Sequence, residues 1–159
     1  MGRPLTTTNT VAYQGGIMEL FSVLVVDDEE DFVETLVNRL KKRTIDAVGA
    51  LSGEDALELL GNREFDVVIL DIKMPGGMDG IETLKEIKKV QPLSEIILLT
   101  GHASVESSIE GMRCGAFDYV LKPIKLEELF PKIAQAFEKK DVHNQKIRSA
   151  KIQHSLRYW

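Results

Sequence analysis

At 159 residues and 43% hydrophobic, the chain is long enough for one domain with a real core and some spare tail, which excludes a disordered polymer. Its formal charge of −5 weighs against a nucleic-acid binder, which is usually basic. The single cysteine, Cys114, excludes an internal disulfide and a multi-cysteine metal site. No apolar run approaches the length of a bilayer span, and the first residues lack the apolar core of a signal peptide. A reducing cytoplasm is the expected compartment.

Residues 1–20 show no clear periodicity and, with Thr6-Thr7-Thr8-Asn9-Thr10 and Gly15-Gly16, are expected to form a flexible N-terminal extension. Ser22 to Val26 reads as a short apolar strand ending in Asp27-Asp28-Glu29-Glu30-Asp31. Phe32, Val33, Leu36, Val37 and Leu40 follow at helical spacing. Lys41, Lys42 and Arg43 stand at the C-terminal end of that helix, where positive charge suits its dipole. Ile45 to Leu51 predicts a second strand. Ser52 is a good N-cap, with Asp55 three residues on resembling a capping box. Ala56, Leu57, Leu59 and Leu60 predict the second helix, with Gly61 expected to end it.

Val67 to Leu70 is an unbroken apolar run, as in a strand buried on both faces, and it leads straight into Asp71. Pro75, Gly76 and Gly77 then force a loop. Asp79 or Gly80 starts a third helix carrying Ile81, Leu84 and Ile87. After Pro92, Glu95 to Thr100 predicts a fourth strand. Ser104 is suited to cap a fourth helix with Val105, Ile109 and Met112, closed by Gly115. Ala116 to Leu121 predicts the fifth strand, ending at Lys122-Pro123. A fifth helix carries Leu126, Leu129, Phe130, Ile133 and Phe137. Pro131 falls early in it and removes one backbone hydrogen bond. Five strands alternating with five helices predict an α/β parallel sheet covered on both faces. Residues 141–159 hold Lys146, Arg148, Lys151 and Arg157 against Asp141. They read either as a frayed tail or as a linker helix continuing the fifth.

In a parallel sheet the carboxyl ends of the strands point the same way, and ligands sit beyond them. Those ends carry Asp27 and Asp28, then Asp71, Thr100 and Lys122. Three carboxylates in one pocket repel; two charges about 4 Å apart cost about 4 kcal/mol at an effective dielectric near 20. Such a cluster needs a cation or shifted pKa values. All-oxygen ligands suit Mg²⁺, or Mn²⁺, better than zinc. A carboxylate, a hard cation, a lysine and a hydroxyl are the parts needed to accept a phosphoryl group, with Asp71 as nucleophile and Lys122 and Thr100 contacting the phosphoryl oxygens.

Taken together, Val25-Val26-Asp27-Asp28, Leu70-Asp71-Ile72-Lys73-Met74-Pro75, Met78-Asp79-Gly80, Leu99-Thr100-Gly101 and Tyr119-Val120-Leu121-Lys122-Pro123 resemble the receiver domain of two-component response regulators. The likeness to chemotaxis-type receivers runs from about residue 21 to 140. It implies a flavodoxin-like, doubly wound sheet in strand order 2-1-3-4-5. It also implies that Asp71 accepts phosphate from a sensor histidine kinase or a histidine phosphotransfer protein. Asp28 would ligate Mg²⁺ directly, Asp27 mainly through water, and the backbone carbonyl of Lys73 would be a further ligand. Thr100 and Tyr119 would be a switch pair that reshapes the face made by the fourth helix, fifth strand and fifth helix. That face would also be available for homodimer formation. The implied role is signalling, with slow self-dephosphorylation rather than enzymatic turnover, and with no direct contact to nucleic acid or membrane.

The family pattern places one residue between the loop proline and the following methionine. Here Gly76 and Gly77 both intervene, so a longer and more flexible loop is expected. Lys73 and His102 flank the implied path of the attacking water and are candidates for setting the phosphate lifetime. Simpler readings stand beside these: Tyr119 as strand packing, His102 as an exposed loop residue, Cys114 as a small core or helix-end residue. Three other functions compete. A Mg²⁺-dependent aspartyl-phosphate hydrolase of the haloacid dehalogenase type would need Asp-x-Asp on the first strand, where Glu29-Glu30 follow Asp28 instead. A flavin carrier would need an uncharged phosphate loop where this one is acidic. A receiver-like module that binds partners without phosphate would not need the acid, threonine and lysine set.

Overall fold

The computed structural model describes residues 10–13, 16–19, 21–101 and 105–157. Strands and helices alternate as β1 (Ser22–Val26), α1 (Glu30–Lys42), β2 (Asp46–Ala50), α2 (Gly53–Asn62), β3 (Val67–Asp71), α3 (Gly80–Val90), β4 (Glu95–Thr100), α4 (Val105–Arg113), β5 (Asp118–Leu121) and α5 (Leu126–Arg157). The five strands pair in parallel in the order β2-β1-β3-β4-β5, the expected 2-1-3-4-5 arrangement. A helix joins each strand to the next along the chain, as parallel pairing requires of its crossovers.

The two-residue period of the strands divides the core into two layers. Leu24 and Val26, Val68 and Leu70, and Ile96 and Leu98 face α2 and α3, meeting Ala56, Leu60, Ile81, Leu84 and Ile87. Val23 and Val25, Val67 and Ile69, and Ile97 and Leu99 face α1 and α5, meeting Val33, Leu36, Leu40, Leu129 and Ile133. The strand residues in both sets are fully buried, each such aliphatic side chain contributing about 1.5–3 kcal/mol. The apolar runs in β3 and β4 therefore reflect a sheet with no solvent face. Cys114 is half-buried and packs against the α2–α3 layer.

Local chemistry sets the helix ends. Ser52 Oγ accepts the Asp55 N–H at 3.0 Å and starts α2. Asp79 caps α3 through a full capping box with Glu82. Gly61 lies inside α2 and does not end it, because the helical hydrogen bonds continue to an Arg63 N–H donated to Leu59. Gly115, with φ of +102°, follows α4 as expected. Ser104 and Trp159 lie outside the described residues.

One feature departs from expectation. Within residues 1–20, Thr10–Tyr13 and Gly16–Glu19 pair as a two-stranded antiparallel ribbon where no regular structure was foreseen. Of the two readings left for residues 141–159, a frayed tail or a helix continuing the fifth, the described residues take the helical form: α5 runs unbroken for 32 residues through Pro131 to Arg157. Its root is fastened to the lower edge of the sheet. Lys140, only 6% exposed, donates to Asp66 Oδ1 at 2.8 Å and to the Phe65 carbonyl at 3.3 Å. Phe137 stacks on Phe21 at 4.7 Å between ring centroids. No helix among the described residues is long and apolar enough to cross a membrane.

Candidate functional site

The site forms where the strands run out. Pairing continues one residue past the strands themselves: the Asp27 N–H donates to Ala50, the Ile72 N–H to Leu99, and the Lys122 N–H to Thr100 at 2.7 Å. Sheet register thus sets Asp27, Asp71, Thr100 and Lys122 around one opening, although they span 95 residues of sequence. The Lys122–Pro123 peptide that follows is cis.

Asp27 is fully buried and Asp71 is 5% exposed, while Asp28 is exposed at the mouth. One carboxylate oxygen from each of the three lies within 4.8 Å of the others. Lys122 Nζ stands 2.7 Å from Asp27 Oδ2 and 3.6 Å from Asp71 Oδ1, and 5.0 Å from the centre of the Phe32 ring. Asp27 Oδ1 accepts the Glu29 N–H at 2.9 Å, which orients the acid at the turn into α1. Burial and then the charge of Asp27 push the Asp71 carboxyl up to about 6, against the opposing pull of Lys122 and of the Lys73 N–H that Asp71 accepts. Burial opposes the charge on Lys122, yet the hydrogen bond to Asp27 and the charge of Asp71 hold its ammonium above the ordinary lysine value.

One lysine does not offset three acids, and a raised Asp71 is the expected response to that excess. The donor set is oxygen only, compact and partly open to water, which fits a hard divalent cation such as Mg²⁺. Lys73 follows Asp71 by two residues, and its N–H reaches the Asp71 carboxylate. Thr100 is buried, its hydroxyl donating to the Gly101 carbonyl at 3.2 Å. Tyr119 is 41% exposed. It lines a groove of about 530 Å³ with Thr100, Val105, Ile109 and Leu121. Lys132 Nζ reaches the Tyr119 carbonyl at 2.9 Å and Asp118 at 3.0 Å. The structure thus gathers Asp27, Asp28, Asp71 and Lys122, with Thr100 at the next strand end and Tyr119 on the groove beyond. His102 lies outside the described residues.

The backbone after Asp71 is tightly packed. A Cβ on Gly80 would run into the Asp71 carbonyl and the Ile72 Cα, so only glycine allows α3 to start this close to the acid. Gly76 has φ of +89°, a left-handed conformation that favours glycine. The lengthened loop is also fastened: Glu54 Oε1 on α2 accepts the Met78 N–H at 2.9 Å. Sequence reasoning passed over Glu54, because nothing local distinguishes it from any other acid in a first helical turn.

A sequence profile described as the response regulator receiver domain matches residues 23–134. The regulatory protein AtoC of Escherichia coli K12 is 42% identical over 107 residues, covering 67% of this chain and 23% of AtoC. A putative NtrX-like response regulator of Rickettsia bellii is 36% identical over 122 residues, covering 76% of this chain and 26% of that protein. The chain therefore spans about a quarter of the length of these curated relatives. Among solved structures, the NtrX receiver domain of Brucella abortus superposes with a TM-score of 0.70 at 32% identity, covering 73% of this chain and 98% of that one. A CheY-like receiver domain protein of Methanospirillum hungatei gives 0.74 at 28% identity, covering 78% and 98%. The profile match, the relatives and the sheet order agree: the chain belongs to the receiver domain family of two-component response regulators.

Proposed function

We propose that residues 21–140 act as a phosphorylation switch in which Asp71 takes a phosphoryl group from a phosphohistidine of a sensor kinase or phosphotransfer protein. The observation that carries this reading is the nearly buried Asp71 carboxylate held beside Asp27, with Lys122 within 3.6 Å of both. An Asp71 oxygen attacks phosphorus; the phosphorus–nitrogen bond breaks, its electron pair stays on the imidazole, and the ring takes up a proton. Asp71 must be ionised to attack. With its carboxyl pushed up to about 6, it is charged near neutral pH and more basic than an ordinary carboxylate. Lys122 supplies fixed positive charge beside the transferring group, and the Thr100 hydroxyl contributes a hydrogen-bond donor.

Asp27, Asp28, Asp71 and the Lys73 carbonyl would hold Mg²⁺ or Mn²⁺, which supplies charge neutralisation for the phosphoryl oxygens when bound. In this reading the fastened β3–α3 loop keeps Lys73 beside the site. Thr100 turning toward a phosphorylated Asp71 frees space that Tyr119 enters, reshaping the α4, β5 and α5 face for a partner or a second copy. Phosphate then biases two existing states. Slow hydrolysis returns the chain to rest in the cytoplasm, with Lys73 and His102 setting its pace.

The test is intact mass after incubation with a small-molecule acyl phosphate, with and without Mg²⁺, on the wild type and Asp71→Asn. A single Mg²⁺-dependent phosphoryl adduct, absent from the variant, is expected. No adduct on the wild type under any condition would overturn the proposal in favour of phosphate-independent partner binding.

A further inference from the structure

Resting on the reading above, we propose that Glu54 is a positioning residue that clasps the lengthened β3–α3 loop and thereby holds Lys73 ready beside the metal and phosphoryl site.

The loop from Ile72 to Asp79 is closed at its base by the Gly80 N–H donating to the Ile72 carbonyl at 2.9 Å. Between those points stand Lys73, Met74, Pro75, Gly76, Gly77, Met78 and Asp79, with two adjacent glycines at the crown. Gly76 is in a left-handed conformation, and adjacent glycines are the residues that most readily leave any one backbone conformation. Met74, buried in the α2–α3 core layer, holds the limb next to Lys73, while the limb from Gly76 to Met78 carries the glycines and is not buried. The fastening of that second limb comes from another element. Ser52 caps α2, which fixes the direction of the residues just inside the helix, and Glu54 is the second of them. Its carboxylate accepts the Met78 N–H at 2.9 Å, 24 residues away in sequence. It also lies against Gly77, where a Cβ would stand 2.8 Å from Glu54 Oε1.

The Met78 N–H, and then the N–H of Glu54 itself, hold this carboxyl below the usual carboxylate range. A hydrogen bond with one charged partner is the stronger kind. The loop is thus tied at its base, at Met74 and on the Gly77–Met78 limb, and Lys73 lies on the tied segment with its N–H on the Asp71 carboxylate. Glu54 touches neither Asp71 nor the acids around it. It acts through the loop, as outer-shell groups act on metal ligands.

The experiment compares wild type, Glu54→Ala, Glu54→Gln and Glu58→Ala. Glu58 is exposed one turn along the same helix, so its removal takes away the same charge without touching the loop. Hydrogen exchange at the Met78 amide, in metal-free protein, reads the clasp directly. Mg²⁺ affinity by calorimetry reads its effect on the site. Glu54→Ala is expected to speed Met78 exchange about 10-fold and weaken Mg²⁺ binding about 3- to 10-fold. Glu54→Gln keeps an acceptor oxygen and should return most of both losses, while Glu58→Ala should stay within about 2-fold of wild type on the same scale. Mg²⁺ affinity in Glu54→Ala equal to wild type would overturn the proposal, as would equal weakening by Glu58→Ala, which would mean a long-range field effect. Wild type that binds no Mg²⁺ would overturn the underlying site reading. Met78 exchange unchanged by Glu54→Ala would overturn the clasp by itself.

Discussion

In metal-free protein, Asp71→Asn should be more stable than the wild type, and only above the acid range. The unfolded chain ionises Asp71 near the ordinary 3.8, whereas the folded chain does so at about 6, chiefly because the group is buried and faces Asp27. The folded state therefore holds this proton more tightly, and stability falls as pH rises from about 3.8 through about 6. Below that window both states are protonated; above it the full penalty is present. The separation corresponds to about 3 kcal/mol at about 1.4 kcal/mol per tenfold change. Water at the open mouth of the pocket reduces this to roughly 1–2 kcal/mol. Asparagine keeps an oxygen to accept the Lys73 N–H and carries no charge, and Lys122 keeps Asp27 at 2.7 Å. Urea denaturation followed by circular dichroism in a chelator, at pH 7.5 and at pH 4, should give the variant a gain of about 1–2 kcal/mol at the higher pH and almost none at the lower. In a thermal scan the gain is a rise of roughly 3–6 °C at pH 7.5. Excess Mg²⁺ should narrow the gap by stabilising the wild type more. A variant no more stable than wild type at pH 7.5, or a gap of equal size at both pH values, would refute the reasoning.

Lys122→Met leaves the fully buried Asp27 without its cation and should destabilise the metal-free protein by about 2–3 kcal/mol in urea, with part of the loss recovered on adding Mg²⁺. Gly80→Ala drives a methyl group into the backbone of Asp71 and Ile72; a loss of about 2–3 kcal/mol is expected, together with slower phosphoryl uptake from an acyl phosphate, read by intact mass. Removing residues 141–159 should lower helical circular dichroism but leave the urea midpoint almost unchanged, because residues 145–157 are exposed and add little buried surface.

The central strands were legible because burial rather than turn chemistry marks them. The run Val67–Leu70 has no polar residue to hide, and a strand buried on both faces leaves that trace in the chain. The acids, the threonine and the lysine were legible because strand ends in a parallel sheet converge whatever the side-chain details. What could not be read were pairings between distant residues. The hydrogen bonds of Lys140 with Phe65 and Asp66 and of Glu54 with Met78 join ordinary-looking charged residues whose spacing carries no period. The same holds at the end of α5. Residues 141–157 lack a clean apolar stripe, so periodicity left open whether they fray. Their helix follows from continuity with a root anchored by Lys140 and Phe137, since extending an existing helix avoids the unfavourable step of nucleation.

That root gives the projecting part of α5 the mechanics of a lever. Residues 141–157 extend for about 26 Å at about 1.5 Å per residue. The fulcrum lies where Lys140 grips Asp66 and Phe137 stacks on Phe21, at the edge of the sheet opposite Asp71. A rotation of about 5° there carries the tip through roughly 2 Å. An adjustment too small to disturb the packing of the domain thus becomes, at Arg157, a displacement as large as the difference between a hydrogen bond made and one broken.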